Sequence, residues 1–207
     1  MLSFHLVRSL SYKPKAAGNV LFITFDDGPE PGITEFVLKQ LEKYQAKATF
    51  FCCGKNCKAY PDLYANLIQN GHALGNHTYS HISGLDADTD AYIDDIDRCG
   101  EICNSYLFRP PWGAITLSQY VRLRKKYNIV MWDVSSCDSE LEPVDVDRVK
   151  RMWDKNVKPG SIILFHFRKK HEKATMMLLP QFLDLYSSKG YEFKCIDPSI
   201  CLLSGGR

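Results

Sequence analysis

The sequence predicts an α/β fold, a distorted or incomplete (β/α) barrel of about seven parallel strands with helices outside it. Short apolar runs alternate with helix-like segments along the chain, the order expected when each strand is followed by a crossover helix. Several of these runs are apolar without alternation, which is typical of strands buried on both faces. About seven strands in 207 residues favour an open barrel over a complete eightfold one.

The apolar runs are the predicted strands. They are Val20–Phe25, Ala48–Cys53, Leu74 with its neighbours, Leu107–Arg109, Ile129–Val134, Ser161–Phe167 and Tyr191–Ile196.

Helical patterns lie between these runs. Apolar residues from Ile33 to Tyr44 follow helical spacing, and Pro61 opens a second helix because proline suits the first helical position. Gly71 and Gly190 stand where helices would end. Three further helices are predicted around Tyr92–Cys103, Val144–Trp153 and Thr175–Tyr186.

Composition narrows the classes of function. With 26 basic and 24 acidic residues the net charge is +2, so nothing indicates a nucleic-acid partner. No apolar run is long enough to span a membrane. The segment from Met1 to Lys15 is a poor secretion signal because His5 and Arg8 interrupt its short apolar stretch. We expect residues 1–17 to be an N-terminal extension and residues 18–207 to form one domain; the sequence does not indicate an oligomeric state.

The eight cysteines are sparse. Cys52 and Cys53 lie in an apolar run, and Cys99 and Cys103 are one helical turn apart. Such cysteines are more often small core residues than parts of a disulfide framework. The sequence is compatible with free thiols and with a pair of disulfides. No paired Cys-x-x-Cys motif indicates a structural zinc site.

In barrels of parallel strands the chemistry lies at the carboxyl ends of the strands, so catalytic residue types should follow the apolar runs. Asp26 and Asp27 follow the first run directly and precede Gly28-Pro29. This arrangement can aim two carboxylates into one site. Asp and Gly-Pro are also common in turns without any function, and for this segment alone that explanation is about equally good.

His77 and His81 are four residues apart. On one helical turn both imidazoles could reach a single cation, whereas an isolated pair is more often a surface or core feature. Arg109, at a strand end, is followed by two prolines that hold the backbone extended. It either pairs with a carboxylate or lies on the surface of a rigid loop.

His166 ends a strongly apolar run, and Asp138 follows the run that contains Trp132. A buried histidine needs a hydrogen-bond partner. A histidine with a purely structural role in the core would have such a partner as well. The joint occurrence of these residues after successive strands is harder to attribute to chance. Two histidines and one aspartate make a metal triad with open positions, and the remaining groups suit metal-assisted hydrolysis of an amide or ester.

Five segments occur in the order of the motifs of a known family. They are Thr-Phe-Asp-Asp-Gly-Pro at 24–29, His-Thr-Tyr-Ser-His at 77–81, Arg-Pro-Pro-Trp-Gly at 109–113, Trp-Asp-Val at 132–134 with Asp138, and Leu-Phe-His at 164–166. The chain resembles the polysaccharide deacetylases, carbohydrate esterase family four, over residues 18–200.

The resemblance implies a divalent metal, usually zinc with cobalt as an alternative, bound by Asp27, His77 and His81. It also implies that Asp26 is the general base that takes a proton from the attacking water. Arg109 would pair with Asp26 and hold its position.

The other half of the site follows from the same resemblance. The backbone N–H of Trp112 would help the metal to hold the oxyanion, and Leu164 would line the pocket for the acetyl methyl group. His166 would be the general acid that protonates the leaving amine. Asp138 would hydrogen-bond to His166 and favour its protonated form.

The implied activity is removal of N-acetyl groups from N-acetylglucosamine polymers such as chitin or chitooligosaccharides, by a secreted or wall-associated protein whose partner is that polysaccharide. Three positions depart from the family pattern. Ser135 and Phe167 stand where members often carry Asp, and Ser139 replaces an aromatic residue. Two alternatives therefore stay open. One is a catalytically impaired, glycan-binding or wall-associated protein, and the other is a deacetylase for another acetylated glycan such as peptidoglycan or xylan.

Overall fold

A parallel sheet curls into a half-barrel at the centre of the protein, as the sequence predicts. The structure, a computed structural model, describes residues 4–139 and 143–197. The strand order is β5-β4-β3-β2-β1-β7-β6, and every pairing is parallel. A short strand, β8, pairs with the start of β1. The strands are β1 Val20–Asp27, β2 Ala48–Cys52, β3 Ala73–Asn76, β4 Leu107–Phe108, β5 Asn128–Ile129, β6 Val134–Ser135, β7 Ile162–His166 and β8 Glu192–Phe193.

The prediction of one strand over 129–134 is wrong. The chain forms β5 and β6 there, which lie at opposite ends of the strand order. Val130 N donates to Phe108 O on β4, whereas Asp133 N donates to Ile162 O on β7. The backbone therefore changes hydrogen-bonding partner within this run, which carries it from one edge of the half-barrel to the other.

Helices surround the sheet, and Pro61 begins a helix as expected. None of the helices described is long and apolar enough to cross a membrane. The predicted helix over 144–153 begins two residues later. The helices are α1 Phe4–Leu10, α2 Ile33–Lys43, α3 Gly54–Ala59, α4 Pro61–Gln69, α5 Thr89–Gly100, α6 Leu117–Leu123, α7 Val146–Asn156 and α8 Glu172–Ser188, with 3₁₀ turns at Pro111–Gly113 and Lys169–His171.

The main core lies between the sheet and the helices α2, α7 and α8. Phe25 and Phe50 stack with ring centroids 5.0 Å apart, and Phe182 packs edge-on against Trp153. All four side chains are fully buried. Removal of this aromatic surface from water stabilises the strands on which the site depends.

The N-terminal extension packs on the domain. Val7 is fully buried in a second cluster, and Tyr12 N donates to Ile129 O on β5 at 2.8 Å. Tyr120 on α6 donates its hydroxyl to Leu10 O. The proposed boundary after residue 17 remains a prediction.

Five cysteines are buried, and no disulfide joins any cysteine in the described part of the chain. Burial raises the pKa of Cys103 to about 12, so this thiol stays protonated and unreactive at neutral pH. Cys201 lies outside the described residues. The buried thiols are Cys52, Cys53, Cys57, Cys99 and Cys103.

Candidate active site at the carboxyl ends of the strands

The parallel register gathers the motif residues at one end of the sheet. Asp26 is the partner of His166 across β1 and β7. Asp27 is the partner of Cys52 on β2, which in turn faces Asn76 at the end of β3. Because the strands run in the same direction, residues far apart in sequence end at a common edge.

Asp27, His77 and His81 converge on one point. Asp27 Oδ1 lies 2.8 Å from His81 Nε2 and 3.4 Å from His77 Nε2, and the three ligand atoms all lie within 4.8 Å of one another. His77 Nδ1 donates to Arg109 O at 2.8 Å, so its Nε2 carries the free lone pair. One carboxylate and two imidazoles fit a divalent ion such as zinc or cobalt.

The two histidines are not on a helical turn, contrary to the sequence prediction. They lie in a loop after β3, where Thr78 and His81 have left-handed φ values of 64° and 63°. The Asp95 carboxylate accepts hydrogen bonds from two consecutive N–H groups of this loop. The two imidazoles therefore come together because the loop backbone is left-handed at two positions, not because the residues lie on one helical turn. Hydrogen bonds to Asp95, on α5, stabilise that loop.

The Asp27 carboxylate is held on both of its oxygens. Oδ1 faces the two imidazoles, and Oδ2 accepts from Arg168 Nη1 at 3.2 Å. Burial alone would raise the pKa of Asp27, but hydrogen bonds from His77 and His81 outweigh it and hold that pKa well below its usual range. Asn56 Nδ2 donates to the Asp27 backbone carbonyl at 3.0 Å and fixes the main chain.

Arg109 and Asp26 form a buried ion pair beside this triad. Arg109 is fully buried, and its Nη1 lies 2.7 Å from Asp26 Oδ1 and 2.8 Å from Thr24 Oγ1. Its Nε donates to Val130 O, and its guanidinium lies over the Phe51 ring at 4.2 Å. Burial lowers the pKa of Arg109 and the charge of Asp26 opposes that effect. The guanidinium remains charged and fixes one face of Asp26.

His166 and Asp138 form the second pair. His166 Nδ1 lies 2.8 Å from Asp138 Oδ1, while Asp138 Oδ2 accepts from His166 N and from Thr175 Oγ1. Burial would lower the pKa of His166, but the charge and hydrogen bond of Asp138 outweigh it and raise that pKa to about 9. The imidazole is therefore a cation at neutral pH, with its Nε2 directed away from Asp138.

Trp112 and Leu164 lie in different settings. The Trp112 side chain is 63% exposed, and its ring packs edge-on against the His81 ring with centroids 4.3 Å apart. Trp112 also has a left-handed φ of 55°. Leu164 is buried on β7, where it is the register partner of Thr24. Their roles toward an oxyanion and an acetyl methyl group stay predictions.

Asp133 belongs to the same motif as Asp138 but lies away from the site. Its carboxylate pairs with Arg8 at 2.9 Å and Lys13 at 2.7 Å, and it accepts from Ile162 N at the start of β7. This is the opposite end of the strand from His166. Asp133 therefore ties the N-terminal extension to the sheet.

The position after His166 also has a structural use. Phe167 is fully buried, and its ring lies 5.0 Å from the ring of Phe50. A Cβ placed on Gly28 would lie 2.5 Å from Phe167 O and 2.6 Å from the Phe167 ring. The loop that follows Asp27 thus packs tightly on the residue that follows His166.

Three contacts of the site were not predicted from the sequence. The sequence alone gives the basic run 168–171 no role in the site. In the structure Arg168 contacts Asp27, and the His171 ring lies 5.4 Å from the His166 ring. Thr175 was assigned only to a helix, since no spacing in a single sequence marks it as a partner of Asp138.

Comparisons with known proteins agree with this fold. The family model described as polysaccharide deacetylase matches residues 13–132, more than half of the chain. A solved peptidoglycan N-acetylglucosamine deacetylase, in complex with 4-naphthalen-1-yl-N-oxidanyl-benzamide, superposes with a TM-score of 0.81 at 29% identity. That match covers 89% of each chain.

Two curated relatives are similar over most of this chain. A peptidoglycan-N-acetylglucosamine deacetylase of Bacillus cereus is 32% identical over 179 residues, which is 83% of this chain and 64% of that protein. A chitooligosaccharide deacetylase of Azorhizobium caulinodans is 36% identical over 155 residues, which is 70% of this chain and 72% of that protein. The resemblance to this family is thereby confirmed, and the chain belongs to the polysaccharide deacetylase family, carbohydrate esterase family four.

Proposed function

We propose that this protein is a metal-dependent N-deacetylase that hydrolyses the acetamido groups of N-acetylglucosamine polymers such as chitin or chitooligosaccharides. One observation carries the proposal. The triad of Asp27, His77 and His81 lies beside two buried ion pairs on neighbouring strands. One is a carboxylate held by a cation, Asp26 with Arg109, and the other is a cation held by a carboxylate, His166 with Asp138. Amide hydrolysis needs a base and an acid on the two sides of one electrophilic centre.

Asp26 is proposed as the general base. Arg109 donates to one of its oxygens and leaves the other, Oδ2, on the side of the triad, 3.9 Å from His77 Nε2. Asp26 can therefore accept the proton of a water that attacks the amide carbon. A divalent ion held by Asp27, His77 and His81 would supply positive charge that polarises the amide carbonyl and makes water more acidic.

His166 is proposed as the general acid. An amine is a poor leaving group until its nitrogen is protonated, and the raised pKa of His166 keeps a proton available at neutral pH. Asp138 holds that imidazole through Nδ1, so Nε2 delivers the proton. The Trp112 backbone N–H would donate to the developing oxyanion, and Leu164 would bound the pocket for the methyl group.

The choice of polymer is the finer part of the proposal. The two named relatives act on peptidoglycan and on chitooligosaccharides, and N-acetylglucosamine is common to both. Peptidoglycan is accordingly the second candidate substrate. Either polymer would place the protein outside the cell or in a cell wall.

A catalytically impaired glycan-binding protein is the competing function, because Ser139 stands where family members often present an aromatic wall to the sugar. A deacetylase with a weakened groove would still bind metal and turn over at high substrate concentration. An impaired descendant would bind glycan and release no acetate at any concentration.

The test is metal content by elemental analysis together with acetate release from chitooligosaccharides, peptidoglycan and acetylated xylan. The protein is measured after chelation and after addition of zinc or cobalt, with Asp27→Ala as the matched variant. We expect restorable metal and restorable acetate release in the wild type and neither in Asp27→Ala. Metal uptake without acetate from any glycan would contradict the proposal and favour the glycan-binding alternative.

A further inference from the structure

The loop that carries His77 and His81 is held from outside by α5. Asp95, in the middle of that helix, accepts hydrogen bonds through one carboxylate oxygen from Tyr79 N at 2.8 Å and from Ser80 N at 2.9 Å. Both N–H groups lie between the two histidines in the sequence. A charged acceptor binds such donors more strongly than a neutral carbonyl does. Asp95 therefore fixes the loop at the two positions that precede His81.

The Tyr79 side chain adds a second restraint on the same loop. The guanidinium of Arg98, one turn after Asp95, lies 3.5 Å from the centre of the Tyr79 ring. A Cβ placed on Gly54 would lie 2.7 Å from that ring, so the ring lies directly against the start of α3. Gly54 N also donates to Thr78 O at 3.0 Å. Two helices thus contact the loop, through its backbone and through one aromatic ring.

The backbone of this loop does not favour the conformation in which it is held. Thr78 and His81 both have left-handed φ, which a β-branched residue such as threonine rarely adopts. Conformations of this kind cost about 1–3 kcal/mol each and persist because surrounding contacts fix them. His77 has a further restraint of its own, since its Nδ1 donates to Arg109 O. The contacts to α5 therefore matter most for the half of the loop that carries His81.

We propose that Asp95 is a positioning residue that sets the metal affinity of the triad. It supplies no ligand atom, and it acts through the N–H groups of Tyr79 and Ser80. The free energy that orders the loop then comes from folding, so it is not subtracted from the free energy of metal binding. This inference rests on the proposed metal dependence and is independent of which glycan is the substrate.

The test is the affinity of the metal-free protein for zinc and for cobalt, measured by chelator competition. Asp95→Ala removes the carboxylate, and alanine is the residue that best favours a helix interior, so α5 itself is not weakened. Asp94→Ala is the matched control, because Asp94 is the exposed neighbour on the same helix and its substitution removes the same charge. Asp95→Asn keeps the size of the side chain and leaves a neutral, weaker acceptor.

We expect Asp95→Ala to lower both metal affinities by about 10–100-fold, the usual effect of removing a partner that orients metal ligands. Asp94→Ala should keep the affinities of the wild type, and Asp95→Asn should lie between the two. Because both alanine variants lose one negative charge on the same helix, the difference between them reports the position of the carboxylate.

Amide hydrogen exchange of the metal-free proteins tests the loop without the metal. Ser80 N donates to the Asp95 carboxylate, so its exchange should become faster in Asp95→Ala. Tyr79 N also donates to the Asp95 backbone carbonyl at 3.1 Å, which the substitution retains, so it should lose less protection. Added zinc should slow the exchange of Ser80 again, because the bound ion orders the loop.

Unchanged metal affinity in Asp95→Ala, or an equal loss in Asp95→Ala and Asp94→Ala, would overturn the inference. If Asp95→Ala does not fold, wild-type affinity in Asp95→Asn would overturn it in the same way. If the wild type binds metal but releases no acetate from any glycan, the proposed hydrolysis fails, while the affinities still decide the role of Asp95. Absence of metal uptake by the wild type would overturn both proposals.

Discussion

Asp26 and His166 are direct partners in the parallel register of β1 and β7, each at the carboxyl end of its strand. Their own partners approach them from different parts of the fold, Arg109 from the end of β4 and Asp138 from the loop after β6. Each pair contains one carboxylate and one cation. In the first pair the carboxylate, Asp26, is the proposed base. In the second pair the cation, His166, is the proposed acid.

The neighbouring carboxylates of β1 should separate metal binding from turnover. Asp27→Asn weakens a ligand of the triad, so we expect a large loss of zinc and cobalt affinity. Asp26→Asn removes the proposed base but no ligand, so kcat should fall by about 10²–10⁴-fold with metal affinity changed only slightly. Chelator competition measures the affinity, and acetate release measures kcat. Equal loss of metal from both variants would remove the distinction between base and ligand.

The pH profile should report the His166–Asp138 pair. The folded protein raises the pKa of His166 from 6.5 to about 9, so the protonated form is favoured by folding. The stability from this pair is complete below about pH 6.5 and is lost as pH rises through about 9. Asp138 faces His166 directly, Asp26 and Asp27 add negative charge, and His171 packs beside it.

We therefore expect kcat/KM to fall on the alkaline side as His166 loses its proton, and Asp138→Asn to move that fall to lower pH. The matched measurement is a titration of the His166 imidazole by NMR in both proteins. An alkaline limb that does not move in Asp138→Asn would show that another group titrates there.

The buried Arg109–Asp26 pair should matter far more for folding than an exposed pair. Arg109→Met leaves the Asp26 charge buried without a partner, which costs about 3–5 kcal/mol of unfolding free energy. Arg122→Met breaks the exposed pair with Asp90 and should cost less than about 1 kcal/mol. Urea denaturation of both variants measures the difference. Similar midpoints for the two would contradict the burial argument.

The two aspartates near β6 should give opposite phenotypes. Asp133→Asn weakens the contacts to Arg8 and Lys13 at the far end of β7, so we expect faster proteolysis of the N-terminal extension and nearly normal kcat. Asp138→Asn should keep the extension protected and lower kcat strongly. Limited proteolysis followed by acetate release on the same samples tests both halves. A strong loss of kcat in Asp133→Asn would mean that the two ends of the strand are coupled.

Much of this arrangement was predictable because it depends on local pattern. The apolar runs predicted the strands β1, β2 and β7. Asp26, Asp27 and His166 were predicted as site residues because they are polar residues at the ends of such runs. In a parallel sheet the carboxyl ends of all strands lie at one edge, so these residues are expected to lie close together even when the strand order is unknown.

The errors arise where tertiary contacts override local pattern. Spacing of four residues suggested a helical turn for His77 and His81, but Asp95, from a distant helix, stabilises a left-handed loop instead. Likewise, nothing local to residues 129–134 shows that the backbone leaves β4 for β7 within that run. The contact of Arg168 with Asp27 spans 141 positions in the sequence and is visible only in the folded chain.

The left-handed backbone of the site has a consequence for any attempt to improve this protein. Six non-glycine residues in the described chain have positive φ, and five of them lie at the strand ends or in the turns and loops that follow them, around the candidate site. Such conformations cost about 1–3 kcal/mol each. Selection for thermal stability alone would favour glycine at these positions, because glycine adopts positive φ without strain. The same substitutions would remove side chains of the candidate site. The five residues are Asp27, Thr78, His81, Trp112 and Cys137.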